Sequence, residues 1–145
     1  MSTFTQGYYT PKNPDKYIGD LTKIRYMSSW ELNTHLFLDN NTNVIRWGSE
    51  PIAIPYVKPT DKSLHKYYPD YYVEYIHSDK TLHKEIIEVK PYKQTIVSKS
   101  KNRRSKLYED LQFAVNKAKW IACQQFCDKH GFTFRLLTEK QLFGQ

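Results

Sequence analysis

Two short segments of the 145-residue chain carry acidic and basic side chains that together could hold a metal ion against a phosphodiester. Asp70 follows Tyr68 and Pro69 at the start of one apolar-rich run, and Glu88 and Lys90 close the next run. Residues two apart in a strand point to the same face, so Glu88 and Lys90 share a face. An antiparallel hairpin would bring the start of the first run beside the end of the second. The spacing therefore predicts that Asp70, Glu88 and Lys90 meet at one edge of a sheet.

Two carboxylates held this close repel each other unless a cation joins them or one is protonated. Mg²⁺ fits, because it prefers oxygen ligands and completes its shell with water and substrate phosphate, and we expect Mn²⁺ to substitute for it. Such an ion polarises a phosphoryl oxygen and lowers the pKa of a bound water for in-line attack. An unburied lysine, with a pKa of about 10.4, is a poor base. We therefore expect Lys90 first to hold the attacking water and neutralise charge on phosphorus, and only second to act as a base.

A simpler interpretation places Glu88 and Lys90 on a solvated strand face. Asp70 would then pair with Lys90 in a cross-strand salt bridge worth about 0.2–1 kcal/mol. For an isolated Glu-x-Lys this would be the better interpretation. Here Pro-Asp, a hairpin turn and Glu-x-Lys follow one another next to apolar residues, and that combination favours the metal site.

The flanking sequence predicts the elements that must position these side chains. Ser28 and Glu31 form a capping-box pattern that opens a helix, which should end in the turn-rich segment 39–43. Its apolar side comprises Trp30, Leu32, Leu36, Phe37 and Leu38. Strands are predicted over 44–47, 52–57, 67–76 and 81–90, with a polar loop over 58–66 and a turn over 77–80.

A long helix is predicted over 107–130, capped at Gly131, and a final strand over 132–136, with a short closing helix after Thr138. The apolar stripe of the long helix comprises Leu111, Val115, Ala118, Ala122 and Phe126. The order of helix, strands, long helix and strand indicates an α/β (α+β) fold with a mixed β-sheet flanked by helices. The length predicts one domain over 21–145, preceded by an irregular arm over 1–20.

The composition favours a polyanionic partner. The chain has 22 basic and 15 acidic side chains, a formal net charge of +7, and enough hydrophobic residues (39%) for a folded core. A basic loop over 99–106 could neutralise DNA phosphates without reading sequence, although a solvated loop explains it equally well. The basic residues predicted to contact DNA are Lys93, Lys99, Lys101, Arg103 and Arg104.

The remaining sequence signals exclude several classes. Cys123 and Cys127 lie four residues apart on the predicted long helix, and they indicate reduced thiols in a cytosolic protein rather than a disulfide or a zinc site. No apolar run reaches the roughly 18 residues that a membrane span needs. Residues 1–6 lack the pattern of a secretory signal.

The segments Pro69-Asp70 and Glu88-Val89-Lys90, preceded by a helix with Glu31, resemble the motif of the PD-(D/E)XK nuclease superfamily. The resemblance implies a restriction-endonuclease-like core in the order α-β-β-β-α-β. It also implies catalysis by Asp70, Glu88, Lys90 and Glu31, and it implies that Gln94 lies beside the site as a further DNA-binding residue. The implied metal ligands are Asp70, Glu88, the backbone carbonyl of Val89 and, as an open alternative to its capping role, Glu31. Glu50 is a further acidic candidate, which a turn beside Pro51 would explain equally well.

Longer stretches are similar to the head-completion nucleases of T-even-type tailed phages. They are Pro11-Lys12-Asn13, Tyr26–Glu31, Trp47–Glu50, Ile52–Tyr56, Tyr68–Asp70, Glu88–Pro91 and Ala118–Trp120. This resemblance implies an endo- or exonuclease that trims packaged DNA in the host cytoplasm during head completion and head–tail joining, with phage head or portal vertex proteins as partners. Retention in the virion and the oligomeric state stay open.

Two other functions are compatible with the same sequence. The first is a non-catalytic head–tail connector that binds DNA or the portal and keeps a vestigial site. The intact acidic residues and lysine argue against it. The second is a junction-resolving or transposon-end nuclease on the same scaffold.

Overall fold

A computed structural model describes residues 6–142 of the chain, with side chains described as far as Lys140. The strands are β1 (Gly7–Tyr8), β2 (Arg25–Tyr26), β3 (Val44–Ser49), β4 (Ile54–Val57), β5 (Leu64–Tyr67), β6 (Tyr71–Ile76), β7 (Leu82–Val89) and β8 (Thr133–Leu137). The α-helices are α1 (Ser29–Asn40), α2 (Arg103–His130) and α3 (Glu139–Leu142), and single turns of 3-10 helix span Pro14–Lys16 and Tyr92–Gln94.

The central sheet has four strands in the order β3-β6-β7-β8. The pairs β3–β6 and β6–β7 are antiparallel, whereas β7 and β8 are parallel. The parallel pair requires a crossover connection, which α2 supplies. Read along the chain, α1, β3, β6, β7, α2 and β8 confirm the predicted α-β-β-β-α-β order of a mixed sheet with helices.

The β6–β7 hairpin forms as predicted, but its first strand is shorter than expected. The pairing runs from Tyr71 opposite Ile87 to Ile76 opposite Leu82. The predicted strand over 67–76 is interrupted at residues 68–70, so that Asp70 lies just before β6 rather than inside a strand. The fully buried Pro69 explains the break, because proline cannot donate to a strand ladder.

A second hairpin lies outside the central sheet. The predicted strand over 52–57 is confined to β4, and β4 pairs only with β5 among the described strands. The prediction of a continuous loop over 58–66 is wrong, because β5 begins at Leu64. Pro55 lies within β4, and a proline is tolerated there because a two-stranded ribbon leaves each strand one unpaired edge.

Helix α2 begins at Arg103, four residues before the predicted start. The side chain of Asn102 caps it by accepting hydrogen bonds from the backbone N–H groups of Arg104 (3.0 Å) and Ser105 (3.1 Å). Every residue from 103 to 109 is exposed, and Leu111, predicted in the buried stripe, is 47% exposed. The first turns of α2 therefore extend past the core, whereas its later turns pack against the sheet. The helix ends as predicted at Gly131, which adopts a left-handed φ of 73°.

The buried face of α1 differs from the predicted apolar side. Phe37 is 61% exposed, whereas His35 and Asp39 are fully buried. Asp39 accepts hydrogen bonds from the hydroxyl of Tyr9 and from the backbone N–H of Lys12 (2.7 Å). The described part of the predicted arm, residues 6–20, thus packs over α1 and carries β1 and a 3-10 turn, while residues 1–5 lie outside the described range.

Cys123 and Cys127 are both buried and carry free thiols, as the sequence predicts. They belong to the core cluster beneath α2, together with Tyr72 and Ile86 of the sheet. Within residues 6–142, none of the helices combines the length and the apolar character that crossing a bilayer requires.

Candidate active site

Asp70 and Glu88 lie side by side at the open end of the β6–β7 hairpin. The last pair of the ladder joins Tyr71 to Ile87, so Asp70 precedes β6 at the level where Glu88 continues β7. Asp70 Oδ2 accepts a hydrogen bond of 2.8 Å from the backbone N–H of Val89. Glu88 is 3% exposed, and Asp70 is half-buried. The hairpin register therefore places two carboxylates in one partly dehydrated site, as the spacing predicted.

Lys90 and Tyr67 hold the buried carboxylate of Glu88. Lys90 Nζ lies 3.1 Å from Glu88 Oε2, and the hydroxyl of Tyr67 donates to Glu88 Oε1 at 2.8 Å. The backbone N–H of Lys90 donates to the carbonyl of Leu137, which ties the end of β7 to β8. Both oxygens of Glu88 therefore have partners. Sequence reasoning missed Tyr67, because it lies on a strand of the other hairpin and only the fold brings it to Glu88.

The electrostatics at Asp70 show an excess of negative charge. Burial, followed by repulsion from Glu88, raises the pKa of Asp70 from 3.8 to about 7, against the opposing effects of the Val89 N–H and the Lys90 ammonium. A cation between the carboxylates would relieve this repulsion. The donors are carboxylate oxygens, which are the ligands that Mg²⁺ prefers, so the residues present fit this ion.

Glu31 and Asp70 line a common cleft. A cavity of about 420 Å³ is lined by Glu31, Asp70 and Val89 among others. The helix cap is also present, because Ser28 Oγ accepts from the backbone N–H of Glu31 at 3.2 Å, and its hydroxyl lies 3.5 Å from Glu31 Oε2. Glu31 therefore takes part in the capping box and also lines the cleft, so the two predicted roles are compatible.

Glu50 belongs to the same acidic group. Burial of its carboxylate, followed by repulsion from Glu31 and Glu88, raises the pKa of Glu50. Its backbone N–H donates to the carbonyl of Asp70 at 2.9 Å, and its φ of 51° lies in the left-handed region. A non-glycine residue in this region costs about 1 kcal/mol or more and persists only where its surroundings hold it. Glu50 therefore occupies a turn, and its carboxylate also lies near those of Glu31 and Glu88. Its role as a metal ligand stays a prediction.

His35 joins α1 to the start of β6. Its Nε2 donates to the carbonyl of Arg25 (2.8 Å), so that Nδ1 of the neutral ring accepts from the hydroxyl of Tyr71 (2.9 Å). Burial lowers the pKa of His35, which favours this neutral form. Tyr71 follows Asp70 directly, and Glu31 lies one helical turn before His35. The contact thus sets the distance between the two acidic elements, a role that sequence reasoning missed.

A second lysine approaches the site from α2. Lys119 Nζ lies 5.7 Å from the centre of the Tyr67 ring and 5.9 Å from that of Tyr56. Burial, followed by repulsion from Lys90, lowers the pKa of Lys119, and Glu88 opposes this effect. Lys117, two residues away, is exposed and lies over Phe113. The helical stripe is the sequence signal that distinguishes them, because Lys119 lies four residues after Val115 and three before Ala122, whereas Lys117 has neither spacing to the stripe.

The predicted DNA-contacting residues lie outside the acidic cleft. Lys93 and Gln94 line a second cleft of about 300 Å³ between residues 93–98 and α2, so Gln94 is not among the residues that line the cleft of Asp70. Lys99 and Lys101 are exposed ahead of α2, and the prediction that Arg103 and Arg104 belong to a loop is wrong because they form its first turn. The positive end of the helix dipole adds to their charge.

Comparison with known proteins identifies the family of the chain. Residues 41–139 match the family model described as "TnsA-like endonuclease N terminal", a span that includes Asp70, Glu88 and Lys90. The chain is 35% identical over 144 residues to the head completion nuclease of Enterobacteria phage T4, covering 94% of this chain and 92% of that protein. No solved structure matches the chain significantly. The chain belongs to the family of TnsA-like endonuclease N-terminal domains.

Proposed function

We propose that this nuclease hydrolyses DNA with Mg²⁺ at the head-completion stage of phage assembly, and that Asp70, Glu88 and Lys90 are its catalytic residues. The observation that supports the chemistry is the pairing of two carboxylates at adjacent strand ends, with Lys90 Nζ 3.1 Å from Glu88. The biological stage is carried over from the relative named as a head completion nuclease. Glu31 and the Val89 carbonyl are proposed as further metal ligands.

The residues of the site divide the work between metal binding and charge neutralisation. When bound, Mg²⁺ supplies Lewis acidity at a phosphoryl oxygen and lowers the pKa of a coordinated water. The Val89 N–H orients Asp70 through Oδ2, which leaves Oδ1 as the oxygen that we assign to the metal. Glu88 keeps its bond to Tyr67, because each carboxylate oxygen has two lone pairs. Lys90 is positioned to donate to the attacking water and to offset charge that develops on phosphorus.

DNA approaches, in this proposal, along the basic start of α2. Lys99, Lys101, Arg103 and Arg104 are exposed there, and the chain carries a net charge of +7. Contacts to phosphates hold DNA without reading its sequence. That fits a nuclease whose target is defined by its position in a phage head rather than by a base sequence.

The decisive experiment measures cleavage of circular and linear DNA with and without Mg²⁺. We expect Asp70→Asn to lower the rate by at least about a hundredfold. Asp128→Asn is the matched control, because it makes the same chemical change on the exposed surface of α2. Wild-type activity in Asp70→Asn or in Lys90→Ala would disprove the assignment. A wild-type protein that binds DNA without metal-dependent cleavage would instead indicate a connector with a vestigial site.

A second experiment separates the two roles of the start of α1. Ser28→Ala removes the cap and should destabilise the protein by about 1 kcal/mol while leaving cleavage intact. Glu31→Gln keeps the backbone N–H that Ser28 caps and should reduce cleavage at an unchanged melting temperature. Full cleavage by Glu31→Gln would restrict Glu31 to capping.

A further inference from the structure

Two hairpin turns of this protein share one sequence pattern. Residues 61–66 read Asp-Lys-Ser-Leu-His-Lys, and residues 79–84 read Asp-Lys-Thr-Leu-His-Lys. The first segment joins β4 to β5, and the second joins β6 to β7. The lysine after each aspartate has a positive φ, 58° at Lys62 and 68° at Lys80. The same six-residue pattern therefore folds in the same way at both tips.

In both turns a hydroxyl links the carboxylate to the imidazole. Asp79 Oδ1 accepts from the backbone N–H of Thr81 (2.9 Å) and from its hydroxyl, and Thr81 Oγ1 lies 2.9 Å from His83 Nε2. Ser63 makes the equivalent contacts to Asp61 (2.8 Å) and His65 (3.0 Å). Each turn therefore holds one carboxylate beside one imidazole, both supported by the same polar side chain.

The two turns differ two residues before the aspartate. The β6–β7 turn has His77 at this position, whereas the β4–β5 turn has Pro59. His77 Nδ1 lies 3.6 Å from Asp79 Oδ1, and the ring centres of His77 and His83 are 5.1 Å apart. One ligand atom from each of His77, Asp79 and His83 lies within 4.8 Å of the others. The β6–β7 turn therefore presents three potential ligands, whereas the β4–β5 turn presents two.

Two imidazoles and one carboxylate are a ligand set for transition metals rather than for Mg²⁺. Bonds of about 2.0–2.2 Å place tetrahedral ligand atoms roughly 3.4 Å apart, close to the 3.6 Å between His77 and Asp79. The side chains of His77 and Asp79 are 50% and 61% exposed, so they can rotate to close the remaining distances. The hydroxyl of Thr81 contacts both Asp79 and His83, so it can orient these two side chains.

We propose that the tip of the β6–β7 hairpin binds one divalent transition-metal ion, of the class of Zn²⁺, Co²⁺ or Ni²⁺, through His77, Asp79 and His83. The site lies at the opposite end of the hairpin from Asp70 and Glu88, roughly 20 Å away along six residue pairs. Its ion joins the turn to the first residues of β7 and stabilises the hairpin that carries the catalytic carboxylates. Its coordination is completed by water.

The test titrates the untagged, full-length protein in excess Mg²⁺, with Zn²⁺ by calorimetry and with Co²⁺ by visible absorption. We expect one saturable site in the wild type. His77→Gln and His83→Gln should each weaken Zn²⁺ binding by at least about tenfold and remove the Co²⁺ absorption bands. His65→Gln is the matched control from the two-ligand turn and should bind like the wild type, as should Asp70→Asn.

Melting temperatures supply a second readout. Zn²⁺ should raise the melting temperature of the wild type and of His65→Gln, but not that of His77→Gln. If His83→Gln does not fold, the His77→Gln variant provides the test, because the side chain of His77 is exposed. The proposal is overturned by an absence of saturable Zn²⁺ binding to the folded wild type, or by Zn²⁺ binding that His77→Gln leaves unchanged.

Discussion

The ionisation of Asp70 should control the stability of the metal-free protein. Burial and the charge of Glu88 raise the pKa of Asp70 from 3.8 to about 7 in the fold. The folded state therefore binds this proton more tightly than the unfolded state does. The free energy of unfolding should consequently fall as the pH rises from about 4 to about 7, and this contribution should then stay constant at higher pH.

The expected magnitude follows from the size of this shift. About three pKa units at 1.36 kcal/mol each amount to roughly 4 kcal/mol. Asp70→Asn removes the ionisation and keeps a side-chain oxygen that can accept the Val89 N–H. At pH 8 without metal, D70N should therefore be more stable than the wild type by up to about 4 kcal/mol, or roughly 10 °C in melting temperature. Near pH 4 the two proteins should be equally stable.

The assay is thermal unfolding at pH 4, 6 and 8 in the presence of a chelator, repeated with Mg²⁺. Mg²⁺ at 100 times its dissociation constant should stabilise the wild type by about 2.7 kcal/mol and should stabilise D70N far less, so that the gap narrows. Asp128→Asn, on the exposed surface of α2, should reproduce the wild-type curves.

A D70N variant that is less stable than the wild type at pH 8 without metal would refute this reasoning. It would show that attraction from Lys90 and the Val89 N–H outweighs the cost of burying the charge and the repulsion from Glu88. The carboxylates would then form an ordinary ion-pair network, and the electrostatic argument for a cation between them would fail.

Three further predictions concern basic side chains of α2 and β8. Lys119→Met should lower the rate of DNA cleavage about tenfold or more at an unchanged melting temperature. Lys117→Met, which changes an exposed lysine of the same helix, should not lower this rate. Equal cleavage rates in the two variants would exclude Lys119 from the site. Replacing Arg103 and Arg104 together by Gln should reduce the slope of log affinity for DNA against log salt by about 1.8, and an unchanged slope would place DNA elsewhere. Arg135→Met should lower the free energy of unfolding in urea by about 2 kcal/mol, because it removes two 3.0 Å hydrogen bonds from the carboxylate of Glu85, which is 4% exposed. A loss near zero would show that the Glu85 carboxylate is still solvated.

Much of the fold follows from signals that act over a few residues. Ser28 caps α1 and Gly131 ends α2 where their residue types predict, because a cap depends only on the adjacent turn. The β6–β7 hairpin also follows from its two apolar-rich runs and the turn between them. With the turn established, the register of the two strands carries Asp70 to Glu88 without reference to the rest of the chain.

Other features depend on how distant segments pack. The exposure of Leu111 reflects how far α2 extends past the core, and the burial of Asp39 requires an arm some 26 residues earlier in the chain. Tyr67 and Lys119 reach the site from a separate hairpin and from α2. The contacts of Asp39 and Tyr67 leave no periodic signal, because each joins elements whose relative placement depends on the whole core. The apolar stripe of α2 puts Lys119 on the core side, but it does not show that Lys119 reaches Tyr67.

The sequence by itself therefore predicts that Asp70, Glu88 and Lys90 come together, because all three belong to one hairpin whose strands and turn depend on nearby residues. The environment of that unit comes from the assembled fold, which decides how deeply Glu88 is buried, how far the pKa of Asp70 rises, and which lysine of α2 lies beside Tyr67. Solvent exclusion and charge repulsion arise only when segments that are far apart in sequence are packed together.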